Sequence, residues 1–330
     1  MKNPPRLKVV FLTIPRIFAP WCRDVVDALG DRHDLVIYDA DRPMVEQFAG
    51  VDIVIDHGGH VADRPMMDAA AAAGARFWQI MSIGYEHVDI AYLKSKFSQV
   101  ANVPGTTSAA SLAQTALMLT LMLSGRASQC ADNFHGGVWL EPEGVELESK
   151  TLGIVGVGNS GKKMAALGAA LGMRVIGANR SAFEPGAARE LGLESVRPLD
   201  DLDGLIRESD VVSLHVALTD QTRRIIDKRR IGLMKPTALL INVARGGLLE
   251  EAALYEALLS NRIGGAGLDV FDPEPPQTDH PVFALPNVVV TPHIAGFTDG
   301  SSRKRAHFIA QNVDRVAVGQ DALSVIGDAS

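Results

Sequence analysis

Arginine, carboxylate and histidine side chains grip anions, hold protons and pass them on, and three of them occupy related places in this sequence. Arg245 follows the apolar run 238–243, Glu274 follows 265–270, and His293 follows 288–291. Apolar runs of this length, bounded by Gly and Pro, read as buried strands. In an open α/β sheet ligands bind beyond the carboxyl ends of the strands, so the three side chains converge on one rim. Taken singly, each has a plainer reading. Arg245 is then a surface cation before Gly246-Gly247, Glu274 a loop carboxylate between Pro273 and Pro275, and His293 an imidazole packed after Pro292. Together they supply a bidentate clamp for a carboxylate, a general acid or base, and an anion that orients and charge-stabilises that base. Beside a nicotinamide, this is the equipment for passing hydride between an alcohol and a carbonyl next to a carboxylate. No paired histidine spacing accompanies them, so no metal is expected.

A second cluster speaks for the nicotinamide. Gly156-Val157-Gly158-Asn159-Ser160-Gly161 ends the apolar run 152–157 and opens KKMAALGAALGM, a helical pattern. That is G-x-G-x-x-G in the strand-turn-helix context its mechanics require. Gly156 permits the tight turn, Gly158 lets backbone approach a pyrophosphate, and Gly161 allows close helix–strand packing, while the helix N-terminus offers N–H groups to the phosphates. Three glycines also suit an ordinary turn; the strand before, the helix after and a second strand, RVIGA, favour the dinucleotide.

These residues need a scaffold, and the rest of the chain reads as one. KVVFLTI, DLVIYDA, VDIVIDHG and RFWQIM alternate with segments of helical length, and after Pro104-Gly105 and a long helix over 108–123 a second rhythm begins at TLGIVGVG. Its strands are 152–157, 174–178, 210–216, 238–243, 265–270 and 288–291. The βαβα alternation predicts α/β architecture with parallel sheets covered by helices on both faces. A length of 330 residues predicts about two domains. The charged runs 222–230 and 303–305 read as solvated helix faces.

Composition narrows the function classes. Apolar residues make up 47% and charged residues 22%, ordinary globular values. Against 39 acidic residues stand 32 basic ones, a net charge of −7 that offers no general attraction to nucleic acid or anionic lipid. The most membrane-like run, 116–123, falls far short of the ~20 residues of a spanning helix. Cys22 and Cys130 are too few for a disulfide framework, and no signal-peptide cleavage pattern follows the first apolar run, which together predict a reducing, cytoplasmic setting.

The strings GIVGVGNSG, INVARGGLLEEAAL, GAGLDVFDPEP and VVVTPHIAG resemble the NAD(P)-dependent D-isomer-specific 2-hydroxyacid dehydrogenase family, in particular its glyoxylate and hydroxypyruvate reductases. The resemblance covers nearly the whole chain. It implies that Arg245, Glu274 and His293 are catalytic, in agreement with the strand-end argument. It also implies two Rossmann-like, doubly wound parallel-sheet domains, the first flavodoxin-like and discontinuous. Residues 1–103 and 298–330 would bind substrate, and 104–297 the dinucleotide. MSIGYEHVD looks like the family's substrate loop, so the backbone of Ser82, Ile83 and Gly84 would take the substrate carboxylate; the plainer reading is a tight turn. Asp269 would hold the nicotinamide carboxamide. His215, Val216, Ala217 and Thr222, with Val243, Ala244 and Gly296, would lie along the cofactor together with Asn159 and Ser160. One departure is Ala113-Gln114-Thr115, where the family usually has Ala-Glu-His. Formate dehydrogenases are set aside because they carry glutamine where Glu274 stands. A short phosphoglycerate dehydrogenase and a dinucleotide-sensing, corepressor-like binding protein remain as alternatives.

Cofactor choice turns on the end of the second dinucleotide strand, where an acidic residue normally accepts from the ribose 2′-OH. Here the residues are Asn179, Arg180 and Ser181. Asn removes the repulsion a carboxylate would exert on a 2′-phosphate, and Arg180 and Ser181 can bind that phosphate, which predicts NADP(H) preferred and NAD(H) possible. Asn179 bonding the 2′-OH, with Arg180 solvated, is the alternative. The helix over 108–123 is apolar on every side, which predicts burial against a second copy in a homodimer or deep between domains. Trp139 reads as a core or surface residue, or as one that reaches the partner.

Overall fold

The computed structural model describes residues 5–14, 21–58, 61–181, 183 and 185–327. Contacts divide the chain into two units, Met1–Thr107 with Thr298–Ser330, and Ser108–Phe297. In the first, short Val- and Ile-rich runs form β1 (Lys8–Leu12), β2 (Asp34–Ile37), β3 (Ile53–Asp56), β4 (Phe77–Ile80) and β5 (Gln99–Ala101). They pair in parallel in the order β2-β1-β3-β4-β5. Between them run α1 (Arg23–Leu29), α2 (Met44–Phe48), α3 (Arg64–Ala72) and α4 (Ile90–Lys96). Successive side chains of a strand point to opposite faces. Val9, Phe11, Ile53 and Ile55 therefore join one buried cluster with Val25 and Leu29 of α1, and Val10, Leu12, Val54 and Trp78 join another with Met67 and Leu93. Each such side chain contributes ~1.5–3 kcal/mol by leaving water.

The second unit carries seven parallel strands in the order β12-β11-β10-β9-β6-β7-β8. They are β6 (Thr151–Val155), β7 (Arg174–Asn179), β8 (Ser195–Pro198), β9 (Val211–Leu214), β10 (Leu239–Asn242), β11 (Gly265–Leu268) and β12 (Val288–Val290). Its helices are α5 (Ala109–Ser124), α6 (Ala127–His135), α7 (Asn159–Ala170), α8 (Pro185–Glu190), α9 (Leu202–Glu208), α10 (Lys228–Ile231) and α11 (Glu251–Leu259). Val155, Leu214 and Leu240 pack with α9 and α11 on one face. Ile154, Val211 and Ile241 pack with α5 and α7 on the other.

The sequence pattern runs several strands too long: 210–216 contracts to Val211–Leu214, because its neighbour β6 stops at Val155 where Gly156 turns away with a φ of +95°. Strands β5 and β8 are absent from the pattern altogether. Helix α5 buries Ala113, Ala116 and Leu119 but leaves Met118 and Leu121 exposed, so its apolar character is only half consumed within the unit.

After Phe297 the chain returns to the first unit as α12 (Asp299–Ala317), capped by the Thr298 hydroxyl, which accepts from Ser301 N at 3.2 Å. Ile309 and Val313 enter the cluster that holds Phe11 and Ile55. The fully buried Asn312 donates to Gln79 Oε1 at 2.7 Å and accepts from Leu323 N at 2.7 Å. Asp314 accepts from Arg32 at 3.1 Å and pairs with His33 at 2.9 Å.

Candidate active site

Arg245, Glu274 and His293 all stand in loops beyond the carboxyl ends of β10, β11 and β12. The Nδ1–H of His293 donates to Glu274 Oε2 at 2.6 Å, and Glu274 Oε1 accepts from Phe271 N at 2.9 Å. Burial opposes the charge on Glu274, yet the hydrogen bonds from His293 and Phe271 and the charges of His293 and Arg245 prevail and hold its carboxyl below the usual range. Bonding Nδ1 to a carboxylate fixes the ring orientation and leaves Nε2 for a substrate. His293 adopts a φ of 54°, in the left-handed region that L-residues avoid. Its backbone is pinned there by Asp269, whose carbonyl accepts from His293 N at 2.9 Å and whose carboxylate accepts from Thr291 Oγ1, Ile294 N and Ala295 N at 2.6, 2.8 and 2.9 Å. Burial raises the Asp269 pKa despite those bonds. Asp269 thus builds the histidine loop.

Arg245 is aimed by a residue that the sequence reading passed over. Asn242, fully buried at the end of β10, accepts from Ala244 N at 3.1 Å and donates to Arg245 O at 2.8 Å, bracing both sides of the turn. Arg245 also donates to Ala244 O at 2.8 Å. A polar residue closing the apolar LLIN strand was the available signal. Val243 and Ala244 are buried beside it, and Gly296 follows the buried Ala295.

The glycine loop fits a dinucleotide. A Cβ on Gly161 would lie 2.1 Å from Gly156 O, and one on Gly156 would lie 2.8 Å from the His215 backbone, so both glycines serve packing. A Cβ on Gly158 would meet nothing within 4 Å. Glycine there leaves room outside the protein, at the start of α7, where no side chain caps the first N–H groups. Asn159, Ser160 and Gly161 form that first turn. His215 lies between two hydroxyls, with Nε2 2.9 Å from Ser213 Oγ and Nδ1 3.1 Å from Ser160 Oγ, and burial pushes its pKa down to about 4, so the ring is neutral. Val216 and Ala217 continue the loop, and the Thr222 hydroxyl is spent within it, donating to Ala217 O at 2.7 Å and accepting from Thr219 N at 2.8 Å. At the end of β7 Asn179 accepts from Val157 N at 3.2 Å and donates to Ser181 O at 3.1 Å, while Arg180 and Ser181 are exposed.

The loop 82–84 belongs to the first unit, beyond β4. Its carbonyls are taken: Ser82 Oγ donates to Gly84 O at 2.7 Å and Asn102 Nδ2 to Ile83 O at 2.8 Å. Among the described residues no acceptor engages the N–H groups of Ser82, Ile83 and Gly84. That division of backbone groups suits an anion.

Residues 117–295 match the family model described as D-isomer specific 2-hydroxyacid dehydrogenase, NAD binding domain. A hydroxypyruvate reductase of Thermotoga maritima is 39% identical over 227 residues, covering 67% of this chain and 71% of that protein. A D-3-phosphoglycerate dehydrogenase of Methanocaldococcus jannaschii is 32% identical over 286 residues, and the match spans 86% of this chain but only 53% of that longer protein. A D-lactate dehydrogenase of Lactobacillus jensenii, solved with NAD+, superposes with a TM-score of 0.81 at 27% identity over 98% of this chain and 100% of that one. The chain belongs to the D-isomer-specific 2-hydroxyacid dehydrogenase family.

Proposed function

We propose that this protein is an NADP(H)-preferring reductase of small 2-keto acids, of the glyoxylate or hydroxypyruvate type. The observation that carries the reading is the 2.6 Å bond between Glu274 and His293, with Arg245 near enough for its charge to act on Glu274. The first turn of α7, with Gly158, Asn159 and Ser160, would hold the pyrophosphate, and Arg180 and Ser181 the 2′-phosphate; Asn179 shapes their approach. The bound nicotinamide supplies hydride to the keto carbon. His293 gives its Nε2 proton to the keto oxygen, and Glu274 stabilises the imidazolium that precedes transfer. Arg245 binds the carboxylate and polarises the carbonyl. Within the first unit, the N–H groups of Ser82, Ile83 and Gly84 are the ones suited to a substrate carboxylate. Initial rates on glyoxylate and hydroxypyruvate with NADPH and NADH test this. Turnover faster with NADPH is expected, whereas cofactor binding without flux would indicate a dinucleotide sensor.

The assembly we infer is a homodimer through α5 and the segment after α6. Met118 and Leu121 of α5 are exposed, and so are Phe134, Val138, Trp139 at 75% and Leu140 at 91%. An apolar surface of that extent favours a second copy over water. A cavity of about 540 Å³ between the end of α5 and the amino ends of β9 to β12, lined by Met122, Arg126, Val145 and Asn287, adds a recess to this face and stands at the opposite end of the strands from His293. No helix among the described residues is long and apolar enough to cross a membrane. Neither Cys22 nor Cys130 is in a disulfide, which suits the reducing cytoplasm.

A further inference from the structure

Glu274 rides on a loop with little packing of its own, since residues 272–279 are exposed or half-buried from end to end. The two ends of that loop are different. Phe271, 9% exposed, belongs to the apolar cluster that holds Leu254 and Leu258 of α11, and the ring of His280 stands 6.4 Å from the Phe271 ring between centroids. Phe283 closes the group, 5.5 Å from Phe271 in an edge-to-face contact and 5.3 Å from His280. His280 is held on both ring nitrogens. Nδ1 accepts from Val282 N at 3.3 Å, which leaves the hydrogen on Nε2 to be donated to Glu251 Oε1 in the first turn of α11.

We propose that the Phe271–His280 ring contact is a clasp across the base of this loop, and that through it Phe271 and His280 act as positioning residues that aim Glu274 at His293. The proposal rests on the reading of Glu274 and His293 as the proton-handling pair. The Phe271 N–H donates to Glu274 Oε1 at 2.9 Å while Oε2 takes the Nδ1–H of His293 at 2.6 Å, so a turn of Phe271 turns the carboxylate under the imidazole. A backbone bond is only as well aimed as the residue that makes it. Phe271 is fixed from two sides. Below it, a Cβ on Gly246 would lie 2.0 Å from the Phe271 carbonyl carbon and oxygen, so Phe271 is seated backbone to backbone on the Arg245 turn, which Asn242 braces. Beside it stand the rings of His280 and Phe283, and edge-to-face packing sets direction as well as distance. Glu251 ties His280 to α11, which the buried Leu254 and Leu258 anchor, so the clasp has a rigid element behind it.

The test is His280→Ala, which opens the clasp and leaves Arg245, Glu274 and His293 in the chain. With glyoxylate and NADPH, kcat should fall at least ~10-fold, while KM for glyoxylate and NADPH affinity stay within about twofold, the split expected when reacting groups are misaligned and binding groups are intact. The solvent deuterium isotope effect on kcat should rise, because proton delivery by His293 becomes the slower event. His280→Phe keeps a ring beside Phe271 and should recover most of the loss. A His280→Ala enzyme that melts earlier yet keeps the wild-type kcat and isotope effect would make the clasp a matter of stability alone and overturn the proposal, as would equal losses in the two variants. Should His280→Ala not fold, Phe283→Ala, whose ring is 37% exposed, should give the same split in smaller measure, and an unchanged kcat there overturns the clasp. Absence of wild-type turnover on every 2-keto acid with both cofactors overturns the reductase itself. The clasp is then tested alone by the Nδ1–H proton of His293, a downfield NMR signal identified by its loss in His293→Ala: it should shift in His280→Ala, and an unmoved signal overturns the positioning role.

Discussion

The left-handed backbone of His293 shows how tightly one side chain is specified. That conformation costs of order 1–3 kcal/mol for an L-residue, and it persists because Asp269 binds the backbone N–H groups of His293, Ile294 and Ala295. The His293→Ala variant should fold with unchanged cofactor affinity and lose at least ~10²-fold in kcat, the usual share of a general acid, in stopped-flow reduction of a keto acid. Reduction draws its proton from the ring, and Glu274, held below the usual carboxylate range by His293 and Phe271 N, is the ring's hydrogen-bond partner; Glu274→Gln should lower kcat in the same assay while cofactor affinity holds. Arg180→Ala should weaken NADPH by about 1.5–3 kcal/mol and NADH far less, measured by fluorescence titration, since a lost charge-assisted contact is worth that much. The placement of Arg245, Glu274 and His293 beyond the carboxyl ends of β10, β11 and β12 was legible because each directly follows an apolar run of strand length. Asn242 was not, since its work is a pair of backbone bonds that only the folded turn creates.

Among the elements, the strand-turn-helix at 156–161 assigns different duties to three similar glycines. Gly161→Ala drives a methyl group into the Gly156 carbonyl and should lower thermal stability, on the order of 1–3 kcal/mol for overpacking against backbone. Gly158→Ala meets no protein atom, so the unfolding midpoint should hold while NADPH affinity falls in calorimetric titration. The exposed arm after α6 makes a second prediction. The double variant Trp139→Ser, Leu140→Asp should sediment at the 35.3 kDa of one chain, where the wild-type protein should run at twice that mass. Long strands with unbroken apolar runs were readable from the sequence, because parallel strands buried on both faces lack polar alternation. Strands β5 and β8, QVA and SVRP, were not, because short edge strands take their conformation from the neighbour they pair with.

For the whole molecule, the decisive feature is the return of α12 to the first unit. No local periodicity announces where a helix docks, and the rhythm of the sequence shows only two successive α/β stretches; the return was read from family resemblance. Asn312 holds it from inside. Asn312→Leu strands the Gln79 and Leu323 groups it bonds and should cost about 2–4 kcal/mol, seen as an early loss of the first unit in urea. Spectral probes in the second unit should retain their midpoint.

The same return sets a timetable for synthesis. Residues up to 107 leave the ribosome first, yet the cluster containing Phe11 and Ile55 is covered only when Ile309 and Val313 arrive. At ~5–20 residues per second the intervening 190 residues take on the order of 10–40 s, during which the second unit, uninterrupted from 108 to 297, can close. Growth of the loop between the two pieces adds little entropy, since each doubling costs only about 0.6 kcal/mol. Waiting is therefore the dearer burden: the earlier piece of the first unit to be made is the last to be sheltered, and for that interval its apolar face is the part of the nascent chain a chaperone would hold.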